Sequence, residues 1–255
     1  MAPVYADHPF QLIPDPRPEG INTKNDIFDN SAVEMTAIHN CFIRGINAIY
    51  LQAPHVKPQE VKAFANYAAL WAKMVHIHHH EEETQFFPIV EKMAGEPGLM
   101  ATNVAQHHEF HDGLEKYTAY VHAVAAGKEP YDGNALRAII DAFGGVFIQH
   151  LTEEITTLMG LRKYGAERFK DYPAECAKLG KQAIASAGAT TGIIFVFTCL
   201  DVHFEDGRWA AFPPMPWIVV QMFRYVQYWF HTDWWKFGPC DRLGNMRPLY
   251  AVPAE

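Results

Sequence analysis

The sequence predicts an all-α protein, an up-down-up-down four-helix bundle with an N-terminal extended arm and an aromatic-rich C-terminal appendage. Three observations predict it. Between Ser31 and Tyr164, apolar residues recur at steps of three and four, the period of an amphipathic helix. Proline and glycine break this pattern at Ala53-Pro54 to Pro58, at Gly95 to Gly98 and at Gly127 to Gly133, leaving four helical segments. The breaks are short, so consecutive helices should be antiparallel neighbours.

The flanks differ in character. Residues 1–30 contain Pro3, Pro9, Pro14, Pro16 and Pro18 without periodicity, which rules out a helix and predicts an extended arm. The bundle is expected over 31–165, with 166–255 as an extension covering it. Within the extension, Pro173 suits the opening of a short helix, and Thr191 to Leu200 is a buried-type apolar run. Glu205-Asp206-Gly207 reads as a turn, expected to belong to a small hairpin. Aromatic residues crowd the stretch from Trp209 to Phe237.

Composition excludes several functions. The formal charge of −8 over 255 residues argues against nucleic acid, whose phosphates require a basic face. The start, MAPVYADHPF, has no basic region followed by an apolar core, so no secretory signal is expected. The longest apolar run, Gly192 to Leu200, is too short to span a bilayer. A cytoplasmic protein without a membrane span is the expectation. Cys41, Cys176, Cys199 and Cys240 form no C-x-x-C pair and read as reduced thiols. There is no glycine-rich phosphate loop and no Ser-His-Asp array.

The 14 histidines matter by position. On the first helix the predicted inward seam is Met35, His39, Phe42, Ile46 and Ile49. On the second it is Phe64, Ala68, Trp71, Val75, His78, Glu82, Phe86 and Ile89. The third gives Met100, Val104, His107, His111, Leu114, Thr118 and Val121, and the fourth Leu136, Ile140, Phe143, Phe147, His150, Glu154 and Leu158. At roughly 1.5 Å per residue, the histidines and carboxylates all fall about 12–23 Å from one end of the bundle. Seven ligand-type side chains thus converge on one core layer: His39, His78, Glu82, His107, His111, His150 and Glu154. Burying them uncompensated would cost several kcal/mol each. A pair of metal ions offsets that cost, and imidazole with bridging carboxylate suits iron, manganese or zinc.

These residues carry a resemblance. His39 alone, then His78-x-x-x-Glu82-Glu83-x-x-Phe86-Phe87-Pro88, His107-x-x-x-His111 and His150-x-x-x-Glu154 resemble the hemerythrin family, specifically its HHE cation-binding branch. The resemblance covers roughly residues 31–164. It implies two non-haem iron ions, with manganese or zinc as lesser alternatives. It also implies that His107, His111 and His150 ligate one ion, that His39 and His78 ligate the other, and that Glu82 and Glu154 bridge them. The His39/His78 ion is then one ligand short, an open position for dioxygen. Two departures weaken transfer of the carrier function. Glu154 follows His150 by four residues rather than the carriers' five, and the run from His39 to His78 is longer. The tail from Trp234 to Arg242 and from Arg247 to Tyr250 is similar to extensions on hemerythrin-like proteins of fungi. A dioxygen-activating oxidoreductase acting on a small organic substrate is the expectation, with a reversible oxygen carrier or an oxygen or iron sensor as the rival.

Several local readings stay open. On the second helix the pair could instead be His79 with Glu83. Glu83 and Glu153 are either exposed helix charge, the ordinary reading, or acceptors that orient ligating imidazoles. Gly144-Gly145, inside the fourth helix, either admits a neighbouring segment or leaves space near the metal layer. Trp217 to Phe230, with Arg224 its one cation, lacks the basic polar face of an interfacial membrane helix.

Overall fold

The computed structural model describes residues 3–17 and 26–253. Helix α1 (Ile27–Gln52) starts four residues earlier than the periodicity predicts. The reason is a cap: the Asp26 carboxylate accepts hydrogen bonds from the backbone N–H groups of Phe28 and Asp29, satisfying donors at the helix start. Helix α2 (Val61–Glu81) runs into a π-helical turn (Glu82–Phe86) and on into α3 (Phe87–Ala94). Helices α4 (Ala101–Ala125) and α5 (Gly133–Gly160) complete the bundle. Its neighbours in the ring are α1 with α2, α2 with α4, α4 with α5, and α5 with α1. The three breaks fall where proline and glycine foretold. Gly95 and Gly127 hold positive φ of 69° and 67° as helix terminators, a conformation that costs glycine little.

The extension is helical too. Helix α6 (Tyr172–Ala187), a second π turn (Gly188–Gly192) and α7 (Ile193–Cys199) form a rod, bent at Gly188 where φ is 89°, against α1 and α2. Among the described residues this rod alone is long and apolar enough to cross a membrane, and 50% of its most apolar window is buried within the protein. Close approach explains Gly45, where a Cβ would lie 2.8 Å from Trp71 and 2.9 Å from Phe195. Short helices α8 (Trp217–Tyr225) and α9 (Thr232–Trp235) follow. The expected hairpin is not formed. Glu205 and Asp206 do make a turn, with φ of 48° and 61°, but no strand flanks it among the described residues, and the isolated bridge Cys240–Met246 lies elsewhere. All four cysteines are free.

The arm is extended over residues 3–17, while 18–25, with Pro18, lie outside the described residues. Two buried asparagines of α1 clamp it. Asn47 accepts from Phe10 N–H and donates to the carbonyls of Ala6 and Phe10, and Asn40 exchanges both bonds with Ile13. Gly144 is where the arm crosses α5: a Cβ there would sit 2.5 Å from the Phe10 ring. Space for a neighbouring segment is therefore the correct reading of that glycine.

Candidate metal centre

Each bundle helix delivers donors to one layer. From α1 comes His39, fully buried. Its Nδ1 lies 2.8 Å from the Leu151 carbonyl, which can only accept, so that nitrogen carries the proton. The Nε2 lone pair is left facing the core. From α2 come both His78 and His79, with Glu82 following at the π turn. At roughly 100° per residue, Glu82 projects between the directions of His78 and His79, so one carboxylate serves both imidazoles. The π turn follows directly, and such turns recur at functional sites.

From α4 and α5 come His107, His150 and Glu154, all buried. Two carboxylates outside the layer fix the protons of these imidazoles. Glu83 accepts from His107 Nδ1 at 2.6 Å. Exposed Glu153 accepts from the Gln106 amide nitrogen, which turns Gln106 Oε1 toward His150 Nδ1 at 3.2 Å. Both Nδ1 atoms are thus donors, and both Nε2 atoms carry lone pairs. Yet His107 Nε2 and His150 Nε2 stand 3.0 Å apart. Two acceptors at that distance repel unless a cation lies between or beside them.

The carboxylates show the same deficit. All four oxygens of Glu82 and Glu154, and Nε2 of His79, are buried without a well-directed hydrogen bond. Glu82 Oε1 is 3.0 Å from His78 Nε2 and its Oε2 is 3.6 Å from His107 Nε2. Glu154 Oε2 lies 3.5 Å from His39 Nε2 and 3.8 Å from His150 Nε2. Ligand atoms of His79, Glu82, His107 and His150 lie within 4.8 Å of one another, as do those of His39, His78 and Glu82. Two cation positions sharing Glu82 emerge.

Burial governs the protonation of the metal-free cluster. It pushes the Glu82 and Glu154 carboxyls well above their usual range, with Glu82 adding to the effect on Glu154. It holds His39 and His79 well below the usual imidazole value, His78 at about 4 and His150 at about 2. Imidazoles held neutral are the form that binds a metal, and a bound cation restores the carboxylate charge. Phe42, Phe87, Phe110 and Phe147 wall the layer, with ring centroids 5.1–6.0 Å from those of the histidines. The donor set fits a pair of nitrogen-rich, carboxylate-bridged transition-metal ions.

The family model described as the hemerythrin HHE cation binding domain matches residues 31–161. The chain belongs to the hemerythrin HHE family. A curated relative, the dimeric xanthone biosynthesis cluster protein R11 of Cryptosporiopsis sp. (strain 8999), is 33% identical over 252 residues, 97% of this chain and 92% of its own. That span includes the extension, which therefore belongs with the HHE domain in the relative as well. No solved structure matches the chain.

Of the seven residues expected to meet in the HHE domain, six do: His39, His78, Glu82, His107, His150 and Glu154. His111 does not. Its side chain is 60% exposed and its Nδ1 is 3.4 Å from Asp112. The buried stripe of α4 runs through Asn103, Gln106, His107, Phe110, Leu114, Tyr117 and Val121, so Phe110 takes the inward place and His111 turns to solvent. His79 joins the buried cluster instead. The choice between His78 with Glu82 and His79 with Glu83 was not a true alternative, since both histidines join and Glu83 holds His107 from outside. Gln106 was missed altogether. The signal that could have found it is a carboxylate three residues after a ligand histidine, facing a buried amide on the neighbouring helix.

Proposed function

We propose that this HHE-domain protein is a non-haem di-iron oxidoreductase that activates dioxygen and oxidises a small aromatic molecule. The observation that carries the metal reading is the His107–His150 pair, two imidazoles with outward protons whose inward lone pairs meet at 3.0 Å. His39 and His78 would hold one iron and His79, His107 and His150 the other, with Glu82 and Glu154 between them. When bound, a di-ferrous pair supplies the electrons that reduce dioxygen.

The protein's own residues prepare the site. Glu83, Gln106 and the Leu151 carbonyl keep protons on the outer imidazole nitrogens, so the inner nitrogens are free to bind. Phenylalanine rings exclude bulk water from the layer. His78 is the ligand with the most open side chain, 15% exposed, so small molecules reach the layer on its side. The substrate class is supported by the R11 relative, whose name places it in a biosynthetic cluster for dimeric xanthones, and by the shared extension, for which a bare carrier has no need.

A reversible oxygen carrier or sensor is the second reading, favoured by a donor set of five imidazoles to two carboxylates. Reduced, iron-loaded protein exposed to oxygen separates the two. An enzyme consumes oxygen and converts a xanthone-type phenolic compound in stoichiometric amounts. A carrier releases its oxygen unchanged on evacuation, with or without that compound, and such a result would refute catalysis.

A further inference from the structure

The segment from α8 through residues 227–231 presents an apolar face that nothing among the described residues covers. Trp217 is 72% exposed, Trp229 60% and Phe230 63%, with Ile218, Met222, Tyr225 and Val226 exposed between them. An exposed apolar cluster of this size on a folded protein marks an interaction surface. Five of its members lie in ten consecutive residues of helix and turn, and Ile218, Met222 and Val226 line a shallow apolar depression.

Two arginines border this face, and neither meets an acceptor among the described residues. The Arg242 guanidinium lies 4.9 Å from the centre of the Tyr225 ring and 5.9 Å from that of Trp229. Arg224 lies 5.3 Å from the Phe197 ring. The Nε of each is buried without a hydrogen-bond partner, and neither arginine forms an ion pair among the described residues. Asp241, whose charge reaches Arg224, is committed to its own turn, accepting from Leu243 N–H, Asn245 N–H and the Asn245 amide. Residues 217–230 contain no carboxylate. Chain folding thus brings Arg242 beside a segment that has a single cation in the linear sequence.

We infer that this face seats the protein on a phospholipid surface, of the zwitterionic phosphatidylcholine type. Trp, Tyr and Phe side chains enter the boundary between headgroups and acyl chains, where rings with one polar edge are favoured. Arg224 and Arg242 donate to lipid phosphate, and the exposed indoles receive the choline ammonium by cation–π contact. A second copy of the chain is the poorer occupant. A two-fold contact sets the same patch against itself, bringing arginines together with no carboxylate to pair them. The net charge of −8 opposes strongly anionic membranes, so zwitterionic lipid is the better match. None of this depends on the metal centre.

Flotation of the full chain with phosphatidylcholine vesicles, together with its tryptophan emission, tests the inference. Binding with a blue shift is expected. Trp217→Ser/Trp229→Ser should weaken it at least tenfold with helical circular dichroism unchanged, because both side chains stand clear of the core. Arg224→Gln/Arg242→Gln should weaken it by a similar factor. Failure to bind phosphatidylcholine vesicles overturns the inference, as does a Trp217→Ser/Trp229→Ser variant that binds like the parent. A dimer in sedimentation that this variant dissolves, without vesicle binding, assigns the face to a second copy and overturns it equally.

Discussion

His107 and His150 face each other through nitrogens that both lack a proton, because Glu83 and the Gln106 amide take the protons on the opposite edges. The pairing makes chemical sense around cations, and it sets what substitutions should do.

His79→Ala should remove one of the two bound ions, whereas His111→Ala should leave both in place, since His111 points to solvent. Metal content per chain after identical iron loading checks this. A loss in His111→Ala with retention in His79→Ala would reverse the assignment of the fifth imidazole.

Glu83→Gln and Gln106→Leu touch no ion, yet each should lower metal affinity about 10–100-fold, the usual effect of removing a partner that orients a ligand. Competition with a chelator reads the change. The unloaded proteins should keep their helical content, because Glu83 is on the surface and Leu is close to Gln in volume.

The layer was legible in the sequence because histidine and glutamate at apolar seam positions stand out, and three short breaks fix which helices adjoin. Its fine register was not. His107 and His111 are equally plausible inward residues until Phe110, Leu114 and Tyr117 compete for the same stripe. One carboxylate shared by two consecutive histidines has no mark in a periodic pattern, and neither has the π turn that begins at Glu82. The extension was legible as buried and aromatic, with a helix opening at Pro173, but the helical state of α7 was not, because tertiary contact with α1 rather than propensity sets it. Arg242 meets Tyr225 and Trp229 only through the fold.

Asn47→Ala should cost about 2 kcal/mol, since it strands buried backbone groups of the arm that then lack partners. In a domain of this size that lowers Tm by roughly 4–8 °C. Gly144→Ala should destabilise as well, through the Phe10 contact, and Phe10→Ala in the same chain should relieve it. Gly145→Ala, with nothing within 4 Å of its Cβ, should raise stability by up to about 1 kcal/mol. Thermal melts of the four variants test the set together.

Acid should loosen the arm before the bundle. Burial alone would raise the Asp15 carboxyl, but hydrogen bonds from Arg17 and Arg208 outweigh it and hold the group at about 2, below its usual 3.8. A carboxyl lowered on folding stabilises above its unfolded pKa, and that contribution fades as pH falls from about 4 to 2. Solvent screening of the more exposed Arg17 and Arg208 partners reduces it to about 1 kcal/mol. Asp15→Asn should flatten the stability profile over that interval, and an unchanged slope in urea titrations would remove Asp15 from the explanation.

The central matter is whether the buried imidazoles and carboxylates enclose cations. Elemental analysis of the chain prepared with ferrous iron under anaerobic conditions decides it. Two ions per chain are expected, falling to fewer than one in Glu82→Ala, whose carboxylate both positions share. A chain that binds no transition metal, or a Glu82→Ala variant that holds as much as the parent, would contradict it.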